Sequence, residues 1–66
     1  MNEHKFGKIL QSARKQRGIT QEKLSEMTGF TTRAISYWET GQREISLKNA
    51  DIVAKALKIK VTIGED

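Results

Sequence analysis

The chain contains neither cysteine nor proline. Without cysteine, no disulfide and no thiolate metal site can brace it. Without proline, the breaks between elements fall to glycine and to Ser/Thr caps. Histidine occurs once, as His4, near a terminus and with no partner for metal or base chemistry. Neither a metal-ligand cluster nor a glycine-rich phosphate loop is present, so no enzyme activity, cofactor or metal is expected. No apolar run approaches the ~20 residues of a membrane span. Residues 1–6 also lack the apolar stretch of a signal peptide. The expected location is therefore the cytoplasm, with no membrane partner.

What is there is short and basic. Sixty-six residues carry 12 Lys and Arg against 8 Asp and Glu, a net charge of +4, and the pI is about 9.7. A chain of this length makes one domain, residues 1–66, and buries only about 60% of its unfolded surface. Its stability must come from compact helix packing or from a second copy of itself. The basic excess favours polyanionic partners such as nucleic acid or an anionic membrane surface.

Apolar residues set the organisation. Phe6, Ile9, Leu10 and Ala13 recur at helical intervals, which predicts an amphipathic helix over about 3–16, ended by Gly18. Thr20 caps a second helix with Leu24 and Met27 inward, stopped by Gly29. Thr31 caps a third that carries Ala34, Ile35 and Trp38 on one face and ends at Gly41. Trp38 is in register with Ile35 and is read as core. After the loop Gln42-Arg43-Glu44-Ile45, Ser46 caps a fourth helix with Leu47, Ala50, Val53, Ala54 and Leu57 inward. The helical core is thus about 3–57. Beyond it Ile59, Val61 and Ile63 alternate with polar residues, the signature of a half-buried strand over about 58–63. A lone strand needs a partner, and a twofold homodimer pairing this strand with its copy is the simplest closed solution. Lys58 and Lys60 either shield the strand edge or touch phosphate.

Residues 20–41 form two short helices joined at Gly29, an arrangement that can set the second helix of the pair into the major groove of duplex DNA. Ile35 and Trp38 would anchor that helix, leaving Thr32, Arg33, Ser36 and Tyr37 outward.

The ordered set Arg14, Gly18, Thr20-Gln21, Leu24-Ser25, Gly29, Thr31, Ile35-Ser36, Trp38-Glu39, Gly41 and Ser46-Leu47 resembles the phage-repressor and Cro helix-turn-helix family, also called the XRE or lambda-repressor-like family. The resemblance spans about residues 6–57. It implies an all-α, four-helix DNA-binding domain, here with the short C-terminal strand in addition. It further implies base reading by Thr32, Arg33, Ser36 and Tyr37, and phosphate contacts from Thr20, Gln21, Thr40, Gln42 and Arg43. Arg14 and Glu39 match a structural salt bridge between the first and third helices. The implied activity is sequence-specific transcriptional regulation, most simply repression by a homodimer on a palindromic operator. The alternative is an antitoxin-type member that binds a toxin protein and represses its own operon, because the strand-like tail is similar to those of small antitoxins. The chain departs from the family pattern at Ile45, where proline is common, and at Phe30, where a smaller aliphatic residue is usual. A strand-like tail is expected in the place where many members have a fifth helix.

Overall fold

A computed structural model describes residues 4–59, with side chains from Phe6 onward. Four helices follow in order: α1 (His4–Gln16), α2 (Gln21–Thr28), α3 (Thr32–Thr40) and α4 (Leu47–Leu57). No strand occurs among the described residues. The helix starts are fixed by local chemistry. The hydroxyls of Thr20, Thr31 and Ser46 accept from the backbone N–H groups of Lys23, Ala34 and Asn49. Each cap satisfies one of the donors that a helix N-terminus leaves open, and is worth about 1 kcal/mol.

No helix here is long enough to be stable alone. They are held by one shared core of Leu10 and Ala13 from α1, Leu24 from α2, Ile35 and Trp38 from α3, and Val53 and Leu57 from α4. Both α1 and α2 pack against α3 and α4. Phe6, Ile19, Phe30, Ala34, Ile45, Ala56 and Ile59 close the rim of this core.

Three side chains expected inside lie outside. Ile9 is 52% exposed, because α1 is rotated to bring Gly7 and Arg14 onto α3 instead. Met27 is exposed as well, since the inner arc of α2 runs through Gln21, Leu24, Ser25 and Thr28. Those polar neighbours are spent on hydrogen bonds to the adjoining turn and to α3. Leu47, at the first turn of α4, is 69% exposed. Ile45, just before the cap, packs on the core.

The end of α4 also differs from the expected strand opening at residue 58. Lys58 is left-handed (φ 59°) and caps the helix. The N–H of Ile59 returns to the Ala54 carbonyl at 3.0 Å, the long bond of a Schellman closure. Ile59 itself packs against the monomer's core. Lys58 and Ile59 therefore complete a helix stop. Lys60, Val61 and Ile63 lie outside the described residues.

Candidate nucleic-acid interface

The angle between α2 and α3 is set by a cross-stitched turn. Gly29 adopts φ 86° and sends its N–H to the Ser25 carbonyl at 2.8 Å; a side chain there would strain this left-handed backbone. The Ser25 hydroxyl donates to the Phe30 carbonyl. The Thr28 hydroxyl donates to the Leu24 carbonyl and accepts from the Phe30 N–H. Phe30 then meets Trp38 edge to face, with ring centres 5.0 Å apart and planes at 86°. Its larger ring bridges the turn to α3, a packing gain that a smaller aliphatic residue would not supply.

The inner face of α3 buries Ile35, Trp38 and Glu39. With those three turned inward, the opposite face consists of Thr32, Arg33, Ser36, Tyr37 and Thr40. Arg33 and Thr40 are exposed, and Thr32, Ser36 and Tyr37 are half-buried. Among the described residues neither Arg33 nor Arg43 is ion-paired.

Behind that face lies a polar knot. Arg14 Nε donates to Glu39 Oε2 at 2.7 Å, and Nη2 donates to Oε1 at 3.0 Å. Arg14 Nη1 donates to the Ile19 carbonyl at 2.8 Å, tying in the α1–α2 turn. Gln21 Nε2 completes the knot by donating to Glu39 Oε1 at 3.0 Å. The Glu39 side chain is wholly buried and that of Arg14 nearly so. Among the described residues no buried side-chain N or O lacks a partner. Hydrogen bonding to Glu39 holds the Arg14 guanidinium above its ordinary pKa, with burial opposing and the Glu39 and Glu22 charges adding. A cation with a raised folded pKa contributes fully below its unfolded value, and that contribution is lost only as pH rises through the folded one. Arg14 thus stays charged across the neutral range.

Of the residues read as phosphate-contacting, Thr20 caps α2 and Gln21 occupies its first position. The Gln21 amide has one N–H committed to Glu39, and its second N–H and its oxygen remain for another partner. After α3 the chain folds back over the helix end. The N–H groups of Gln42 and Arg43 donate to the Tyr37 carbonyl at 2.9 and 3.3 Å. Thr40 Oγ1 donates to the Ser36 carbonyl at 2.9 Å and accepts from Gln42 Nε2 at 3.2 Å. The Arg43 guanidinium lies 5.6 Å from the Tyr37 ring centre. Arg33, Tyr37, Arg43 and Glu44 line a groove of about 360 Å³ beside α3.

Among the contacts not foreseen in the sequence are the Gln21 amide on Glu39 and the Arg43 guanidinium on Tyr37. Both link separate elements, which no local sequence pattern signals. Among the described residues no acidic, histidine or cysteine cluster could hold a metal, and no helix is long and apolar enough to cross a membrane.

Two short helices at a fixed angle, the second anchored inward and polar outward, define a helix-turn-helix unit. A family model described as Helix-turn-helix matches residues 10–63, most of the chain. The chain belongs to the XRE, or lambda-repressor-like, helix-turn-helix family of DNA-binding transcriptional regulators. No curated protein matches it.

Proposed function

We propose that the protein is a repressor that binds a palindromic operator as a homodimer, with α3 in the major groove of each half-site. One observation carries the reading. The outward row Thr32, Arg33, Ser36 and Tyr37 stands on a helix whose other face is buried through Ile35, Trp38 and Glu39. Arg33 is exposed and without an ion pair among the described residues. It is suited to the two-pronged contact with guanine O6 and N7. Thr32 and Ser36 supply hydroxyls to neighbouring base edges. Thr20, Gln21, Thr40, Gln42 and Arg43 flank the row and meet the phosphates, which set register without reading sequence. The free N–H of Gln21 is the donor offered there.

One module makes few base contacts, and two copies about 34 Å apart would double them on one face of the duplex. Pairing through Val61 and Ile63 is the proposed means. Truncation should follow Ile59, because Ile59 and Lys58 finish α4. Sedimentation should then give a dimer for the full chain and a monomer for the truncated one. Equal masses at micromolar concentration would reject the pairing.

Selection from random duplex DNA tests the whole reading. The expected product is an inverted repeat with half-sites about one helical turn apart. Recovery of unrelated sequences at modest salt would reject it. An antitoxin would share this DNA-binding half, and co-purification of a second polypeptide from the native host separates the two.

A further inference from the structure

We infer that Tyr37 is a positioning residue for DNA binding: its ring carries Arg43 to the phosphate backbone, and its hydroxyl is not what the DNA reads. The inference rests on the DNA-binding reading above and deepens it at one pair of side chains. The Arg43 guanidinium stands 5.6 Å from the ring centre, within cation–π range. The loop that bears Arg43 is already tied to the same residue, since the Tyr37 carbonyl accepts the N–H groups of both Gln42 and Arg43. Gly41, left-handed at φ 81°, makes this fold-back possible. Tyr37 thus grips the loop twice, by its carbonyl and by its ring.

The rest of the neighbourhood leaves Arg43 to this one brace. Among the described residues no carboxylate pairs with it, although Glu44 is its neighbour in sequence and shares the groove. An exposed arginine on a loop ordinarily samples many rotamers, and ordering it on binding costs entropy. A planar guanidinium resting on a ring has less of that freedom left to lose, and the ring does not consume its N–H donors. Arg43 lines the same groove beside α3 as Arg33. Tyr37 is half-buried, and its place at the end of the row suits a support better than a probe of base edges.

The test compares Tyr37→Phe, Tyr37→Leu, Arg43→Ala and the double variant Tyr37→Leu/Arg43→Ala in titrations against the selected duplex and an unrelated one. Tyr37→Phe should bind like the unchanged protein with the same base preference. Tyr37→Leu should weaken binding to both duplexes by about 2- to 5-fold, the range of an exposed cation–π contact. It should also reduce the salt slope toward that of Arg43→Ala. The double variant should be no weaker than Arg43→Ala alone. An altered base preference in Tyr37→Phe would overturn the inference, and so would losses that multiply in the double variant. Should Tyr37→Leu fail to fold, the unchanged protein decides by NMR. Arg43 δ-protons shifted upfield by the ring support the brace, and δ-protons at free-arginine positions overturn it. Failure of the underlying reading looks different, because neither duplex would then be retained by the unchanged protein.

Discussion

Replacing Gly7 with alanine sets two principles against each other, and the structure decides between them. Gly7 lies inside α1 and is not among the residues with positive φ. By helix propensity alone, alanine should stabilise the domain by about 0.8–1.0 kcal/mol. But Gly7 is buried against α3. A Cβ built on it would overlap the Trp38 carbonyl oxygen outright and stand 3.2 Å from the carbonyl carbon. Both obstacles are backbone, so no rotamer change relieves them. The two helices would have to separate by roughly 1 Å, a gap that forfeits a quarter to a half of the contact energy of the atoms concerned. The separation would also stretch the Arg14–Glu39 bonds, now 2.7 and 3.0 Å. Overpacking of this kind costs about 1–3 kcal/mol, and immovable neighbours place it at the upper end. After the propensity gain, the expected net loss is about 2 kcal/mol.

A domain of this size holds roughly 3–10 kcal/mol in all, so that loss is large. It should lower Tm by roughly 8–16 °C at the usual 4–8 °C per kcal/mol. Urea unfolding followed by helical circular dichroism, with Trp38 fluorescence as a second probe, gives the number directly. The midpoint should fall with the slope unchanged. Gly18→Ala is the control, because Gly18 has open space around it but φ +67°. Its cost would be backbone strain alone, about 1–2 kcal/mol. A Gly7→Ala variant as stable as the parent, or more so, would refute the claim that α1 and α3 meet through this glycine.

Other substitutions probe the remaining links. Glu39→Ala should cost about 3–5 kcal/mol in urea melts by stranding the buried Arg14 charge. The double change Arg14→Met/Glu39→Met should recover most of that loss, since an apolar pair can replace a buried ion pair at little cost. Lys58→Gly should raise stability by about 1 kcal/mol, because Lys58 holds φ 59° where glycine is unstrained. Arg33→Ala should weaken binding to the selected site by about 1–3 kcal/mol and relax preference at one base pair. Arg43→Ala should weaken all duplexes alike and reduce the salt slope by about one in a salt titration.

The elements that could be read from the sequence are those whose physics is local. Thr20, Thr31 and Ser46 announce helix starts because a hydroxyl needs only an N–H three residues on. Gly29 and Gly41 announce the stops because the left-handed conformation is a property of one residue. The stripe Ala50, Val53, Ala54 and Leu57 is visible for the same reason, since helical spacing alone puts those side chains together. The start expected for the C-terminal strand, at Lys58 and Ile59, shows where local pattern misleads. An apolar residue at position 59 also suits a Schellman closure, which places one just beyond the helix end, against the core.

What could not be read depends on how helices rotate against one another. A sequence stripe centred α1 on its apolar residues, and so counted Ile9 as inside. The actual face is turned toward Gly7 and Arg14, because a helix pair gains close backbone approach at a glycine and a two-pronged bond at a buried arginine. Neither gain has an apolar signature. The same rotation brings Arg14 to Glu39, and Glu39 then takes the Gln21 amide, so three helices are registered by one carboxylate. Hydrophobic contact alone would let α3 turn about its axis by small amounts at little cost, since apolar attraction is non-directional. Hydrogen bonds are directional, and these three act on the last full turn of α3. The outward direction of Thr32, Arg33 and Ser36 is therefore governed by a residue on the opposite side of the helix.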